Sequence, residues 1–157
     1  MIIDKSNIHK YIKSDILDCS NKGVTSIEDI PDHITSIYCY GNQLNSLPKL
    51  PNGLMYLYCR HNNLNILPKL PDSLTYLYCY NNNLTSLPKL PIGLKYLSCH
   101  NNKLTSLPKL PDSLIYLSCE DNKLTNYPEH YMDKQWIIEH NKLLHRSTII
   151  NKIYDTK

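Results

Sequence analysis

The sequence predicts a mainly β solenoid of the α/β class. It should have a parallel β-sheet on its concave face, an extended, polyproline-like convex side and a helical cap at each end. Three observations carry that expectation. A twenty-residue pattern runs through residues 16–126 without slippage. Each repeat holds a short alternating stretch, such as Tyr76-Leu77-Tyr78-Cys79-Tyr80, which sends Leu and Cys to one side and the rings to the other. Each repeat also carries a proline pair, such as Pro68 and Pro71, that fixes φ and removes donors, so the return path has no room for an α-helix.

Composition agrees with this picture. The chain has 157 residues, which suits one domain, with 41% hydrophobic and 20% charged side chains, neither a disordered nor a membrane composition. No apolar run approaches the roughly 18 residues of a spanning helix. The start, Met1-Ile2-Ile3-Asp4-Lys5, lacks the apolar core of a signal peptide, so secretion by that route is not expected. The absence of Ala, with 4 Gly and 10 Pro, argues against a helix bundle. A net charge of +3 is too small to imply a polyanion partner unless the charges cluster.

The elements follow in order. Residues 1–15 are expected to form an N-terminal helical cap, with an amphipathic helix over 6–13 presenting Ile8, Tyr11 and Ile12 and started by Ser6 or Asn7. Residues 16–128 hold the repeats, a half unit followed by five units of 20 residues. Residues 67–86, for example, read LPKLPDSLTYLYCYNNNLTS. Each unit should supply one strand, about six in all, stacked roughly 4.8 Å apart. One unit cannot bury its own leucines, so stability must come from interfaces between units. Asn42, Asn62, Asn82, Asn102 and Asn122 should bond backbone groups of their own and the next unit; Lys22 in that slot points to fraying at the half unit. Cys19, Cys39, Cys59, Cys79, Cys99 and Cys119 recur every 20 residues and are read as a reduced, buried ladder, which favours a reducing compartment. Residues 129–157 should form a C-terminal helical cap anchored by Trp136.

The recurring L-x-x-L-x-C-x-x-N-x-L-x-x-L-P, as in Leu74, Leu77, Cys79, Asn82, Leu84, Leu87 and Pro88, resembles the leucine-rich repeat signature. With its 20-residue unit and L-P-x-L-P segment it is similar to the short repeats of bacterial effectors of the YopM and IpaH type. Lys outnumbers Arg fifteen to two and Asn and Ile are abundant, a flavour that also resembles leucine-rich repeat proteins of giant DNA viruses. The resemblance implies a non-catalytic protein–protein interaction module, monomeric and cytoplasmic. Its partner would be a protein, from the host or the virus if the source is viral. A first alternative it implies is substrate recognition for a ubiquitin ligase whose catalytic part lies on another chain. Cys119-Glu120-Asp121 matches the C-x-D nucleophile motif of such ligases, but Cys119 is one of six equivalents in the repeat register and no activating base lies near it in sequence.

The candidate site is the concave face. Its outward positions form three columns: Ser36, Tyr56, Tyr76, Tyr96 and Tyr116; Asp18, Tyr38, Tyr58, Tyr78, Ser98 and Ser118; Ser20, Tyr40, Arg60, Tyr80, His100 and Glu120. Nine of the 13 tyrosines fall there. Cross-strand stacking alone gives a packing ladder, whereas Tyr and Arg are also the residues enriched at binding hot spots. The expected partner-binding residues are Tyr38, Tyr40, Tyr56, Tyr58, Arg60, Tyr76, Tyr78, Tyr80, Tyr96 and His100. A second alternative is nucleic-acid binding by Lys49, Lys69, Lys89 and Lys109 on the back, which ranks behind because Asp72 and Asp112 interrupt that surface. No catalytic residue, cofactor or metal is expected: His140 and His145 are five apart, and they and His130 have no Cys alongside.

Overall fold

The computed structural model describes residues 1–125. Its elements are β1 (Ile2–Ile3), a 3-10 turn (Ile8–Tyr11), β2 (Ile12–Lys13), β3 (Ile16–Asp18), β4 (Ser26–Ile27), β5 (Ser36–Tyr38), β6 (Tyr56–Tyr58), β7 (Tyr76–Tyr78), β8 (Tyr96–Ser98) and β9 (Tyr116–Ser118). Strands β3, β5, β6, β7, β8 and β9 make six parallel rungs of one sheet, edged by β2. Every rung lies over the next with an offset of twenty residues, so Leu57 faces Leu77 and Tyr58 faces Tyr78. The ladder continues past the strand ends, with Cys59 donating its N–H to Tyr78 O at 2.9 Å and His61 to Tyr80 O at 3.1 Å. The described return paths contain turns and extended backbone but no helix, as the prolines require.

The core is a stack of identical layers. Leu74, Leu77, Cys79 and Leu84 are fully buried, and Leu87 and Leu90 nearly so, with their equivalents in the other units doing the same. Each leucine meets its copy above and below. A unit therefore buries its apolar side only when both neighbours are present, and the stability belongs to the interfaces.

The asparagine column seals the strand ends. Asn82 Nδ2 donates to Cys59 O at 3.1 Å and to Cys79 O at 3.0 Å, while its Oδ1 accepts the N–H of Leu64 at 3.0 Å. Asn42, Asn62, Asn102 and Asn122 repeat the pattern. The direction differs from the expectation: each amide reaches back to the preceding unit, not forward to the next. The reason lies in the ladder. Cys59 gives its N–H forward to the following unit, and in a parallel strand its carbonyl faces the same neighbour, so the asparagine that meets it is the later one. The half unit is held in register by the same device, since Asn42 Oδ1 accepts from Lys22 N and Val24 N.

One residue before each asparagine of the column, and before Lys22 in the half unit, the chain turns through left-handed backbone. Asn21, Gly41, His61, Asn81, Asn101 and Asp121 have φ between 50° and 67°. Gly tolerates that region freely, and Asn, Asp and His are the side chains that enter it most often.

The N-terminal cap departs from the helix expected over residues 6–13. Only the four-residue 3-10 turn Ile8–Tyr11 forms, and Asn7 ahead of it makes no side-chain capping bond. The caps are spent elsewhere. Ser6 gives its backbone N–H and its hydroxyl to Asp4 Oδ1 at 2.8 and 2.6 Å, and Asn7 Nδ2 donates to Ile2 O at 3.0 Å. Beyond the turn, Ile12 and Lys13 pair antiparallel with Leu17 and Ile16, covering the open edge of β3. On the return side β1 pairs in parallel with β4. The helical C-terminal cap over 129–157, with its Trp136 anchor, lies outside the described residues.

Substitutions at two positions test this core. Leu77→Ala should cost about 2–5 kcal/mol by urea denaturation, because it empties a site enclosed by two neighbouring units. Asn82→Leu strands the N–H of Leu64 and removes one of the two amide donors to each of the Cys59 and Cys79 carbonyls, which keep those of Asn62 and Asn102, and should cost about 1–3 kcal/mol; Asn82→Asp, which keeps the acceptor but loses both donors, should be destabilising as well.

Candidate functional site

The outward positions of the rungs carry three ladders of rings. In the first, Tyr56, Tyr76, Tyr96 and Tyr116 stack with centroids 5.0, 4.5 and 6.1 Å apart. In the second, Tyr38, Tyr58 and Tyr78 stack at 4.8 Å with planes 15° and 6° apart. The third is mixed. The Arg60 guanidinium lies 4.1 Å from the centre of the Tyr40 ring and 5.6 Å from that of Tyr80, and Tyr80 stacks on His100 at 4.3 Å. Exact register is the cause, since a side chain one rung on lies about 4.8 Å away, close to the spacing of stacked rings.

The rings are half-buried: each covers its neighbour and leaves an edge towards solvent. Burial, with the neighbouring tyrosines adding to it, raises the hydroxyls of Tyr58 and Tyr78 above the ordinary tyrosine range. His61, packed edge-on to Tyr80 at 5.3 Å, is pushed down by burial and by the charge of Arg60.

Towards the last unit the surface changes. Ser98 and Ser118 occupy outward slots yet are only 3% and 4% exposed. Both hydroxyls lie against His100 Nδ1, at 3.0 and 2.9 Å, and Ser118 donates to the Glu120 carboxylate at 2.9 Å. A short side chain between taller neighbours is covered by them, so these two serines brace His100 and Glu120 instead of lining the surface. The cluster's sequence signal was the i, i+2 placement on one strand face combined with the twenty-residue offset.

All ten candidate residues lie on this one side of the sheet. Arg60, Tyr40, Tyr80 and His100 are drawn into the third ladder, and Tyr38, Tyr56, Tyr58, Tyr76, Tyr78 and Tyr96 form the other two. Lys49, Lys69, Lys89 and Lys109 are exposed on the opposite side. There a groove of about 630 Å³ runs between Lys89, Leu90, Pro108 and Pro111, with Ile92 on its rim 84% exposed.

A family model for leucine-rich repeats, two copies, matches residues 72–112. The chain is a leucine-rich repeat protein. It resembles the Shigella effector leucine-rich repeat domain, with 34% identity and a TM-score of 0.75 over 80% of this chain and 60% of that one. It also resembles YopM, a leucine-rich effector protein from Yersinia pestis, with 38% identity and a TM-score of 0.68 over 70% of this chain and 32% of that one. YopM from Yersinia enterocolitica is 35% identical, with a TM-score of 0.63, 70% of this chain and 26% of that one being covered. The repeats are thus of the bacterial effector type, and the chain spans less than two thirds of each of these proteins. No curated protein sequence matches it.

Leucine-rich repeat solenoids are typically binding scaffolds, using extended surfaces where an enzyme uses a cleft. The thiols of this one fit that description. All six cysteines are free and buried. Burial pushes Cys39, Cys59, Cys79 and Cys99 well above the usual thiol range and raises Cys19 and Cys119 to about 12. A protonated, buried Cys119 has little nucleophilic character. Among the described residues no group of three or more metal-ligating side chains converges, and no described helix is long and apolar enough to cross a membrane. His130, His140 and His145 lie outside the described residues.

The thiol ladder predicts an alkaline limit to stability. Unfolded thiols ionise near pH 8.5, whereas burial keeps the folded ones protonated well above that, Cys19 and Cys119 to about pH 12. Their contribution is therefore complete below about pH 8.5 and is lost as pH rises from there, the unfolded state being the one that releases protons. Denaturation between pH 8 and 11 should show falling stability, and Cys79→Ala should flatten the slope by about 1.4 kcal/mol per pH unit. Native thiols should also resist alkylation at pH 8 and react once the chain is unfolded.

Proposed function

We propose that this protein is a non-catalytic protein–protein interaction module that binds its partner through the tyrosine-bearing, concave face of the sheet. The observation that carries the reading is the set of three ring ladders, half-exposed and already stacked in the free chain. Tyrosine offers a large, rigid contact with a hydroxyl at its tip, and rings held by their neighbours lose little freedom when a partner covers them. The ladders also account for packing. Each stacked pair adds about 0.2–1 kcal/mol to the sheet, so the same residues serve both roles. Tyr38, Tyr40, Tyr56, Tyr58, Arg60, Tyr76, Tyr78, Tyr80, Tyr96 and His100 form the contact set of this reading. Unbridged, protonated thiols support a reducing compartment such as the cytoplasm.

The test separates binding from folding. Tyr58, Tyr78 and Tyr80 are replaced together by Ala, and quantitative affinity capture from the native cellular context is compared with the unaltered chain. Truncating a single hot spot such as Tyr78 should weaken partner binding by more than about 1 kcal/mol, and the triple variant should abolish capture. Its urea midpoint should shift only by the lost stacking. Equal capture by both chains would reduce the rings to a packing role.

A further inference from the structure

The third column is not uniform: read along the solenoid it runs Tyr40, Arg60, Tyr80, His100, Glu120. Arg60 sits between two rings, 4.1 Å from the centre of Tyr40 and 5.6 Å from that of Tyr80, which positions its guanidinium but does not neutralise it. Among the described residues no carboxylate lies within ion-pair distance of it. Three rungs further on stands Glu120, steadied by the Ser118 hydroxyl at 2.9 and 3.0 Å from its two oxygens and 3.7 Å from His100 Nδ1. Asp121 is beside it and exposed. The aromatic face thus has a cation held near its middle and, at its far end, an anchored carboxylate with a second, exposed one beside it.

We infer that Arg60 and Glu120 form a charge-matched seat for an extended segment of the partner protein, which lies across the rungs with an acidic side chain on Arg60 and a basic one on Glu120. The inference rests on the aromatic face being the binding face. Geometry sets the spacing. Three rungs at about 4.8 Å separate the two seats by about 14 Å, and an extended chain at about 3.3 Å per residue covers that distance in four residues. The segment should therefore carry its acid and its base four positions apart. Bidentate carboxylate recognition suits a guanidinium already positioned between two rings. A nucleic acid drawn to Arg60 would meet Glu120 and Asp121 within two Debye lengths, so the pattern selects a polypeptide.

Random linear peptides displayed on phage are selected against the full chain, and the recovered peptides are measured against Arg60→Gln, Glu120→Gln and the Tyr58, Tyr78, Tyr80 triple Ala variant. Recovered peptides should carry an acid and a base at the stated spacing. Each single variant should weaken them about 5- to 10-fold, and replacing the peptide's acid by its amide should cost nothing further in Arg60→Gln. Urea midpoints of the single variants should match the unaltered chain, Glu120→Gln keeping an acceptor for Ser118. Peptides lost on the triple variant but indifferent to both single ones would overturn this inference and leave the aromatic binding face standing. Peptides indifferent to all three would remove both. Oligothymidylate binding that disappears in Arg60→Gln would overturn the choice of a polypeptide.

Discussion

A register that advances by twenty residues at every rung and never slips places each side chain against the same position of the next unit, and the other features of this solenoid follow from that constraint. Apolar residues are content with such company, so the buried leucines of successive units form one continuous core. Polar residues are acceptable only where like can satisfy like through the backbone. The asparagine amide does this because it is donor and acceptor at once: its oxygen accepts an N–H and its NH2 donates to two carbonyls, one of the preceding unit and one of its own, repeating without conflict. No singly charged side chain could fill that column, since buried like charges about 5 Å apart would repel strongly.

The same constraint governs where charge can sit. The lysine column on the back is exposed, where water and salt screen neighbours of equal sign. On the aromatic face, where side chains are half-buried, charges are broken up: Arg60 between two tyrosines, and Glu120 beside His100 and Ser118. A cation stacked on rings gains from their faces what it loses in hydration. The columns are therefore uniform where uniformity is cheap and mixed where it would be costly.

Much of this was legible in the sequence because identical columns give the same clue five times over. Leu77 and Cys79 point inward, Tyr76 and Tyr78 outward, and the parallel six-rung stack follows from spacing alone. What escaped the reading lacked that redundancy or lay in the backbone. The column Asn21, Gly41, His61, Asn81, Asn101, Asp121 varies in identity, and only its shared tolerance of left-handed backbone marks it as one slot. The direction of the asparagine amides depends on which neighbour a strand carbonyl faces, which composition does not record. The N-terminal cap occurs once. Ser6 and Asn7 look like helix starters until Asp4 and Ile2 claim their side chains, and β2 completes the edge that a helix was expected to cover. Ser98 and Ser118 show the converse limit: alternation gives the side of the sheet on which a residue lies, but its exposure depends on the height of its neighbours.

Stacking and recognition are often treated as rival accounts of surface tyrosines, yet in an in-register solenoid one prepares the other. An isolated surface tyrosine samples several rotamers and must give them up on binding, at a cost of about 0.5–1.5 kcal/mol for an immobilised side chain. Tyr58, with a ring 4.8 Å away on either side, has given up that freedom on folding. Its exposed edge is already set in the free chain. The leucine and asparagine columns hold the rungs, the rungs hold the rings, and the rings hold Arg60. A contact made there would draw on order already established by the core, which is why the aromatic face, and not the exposed lysines behind it, is the surface from which specificity is expected.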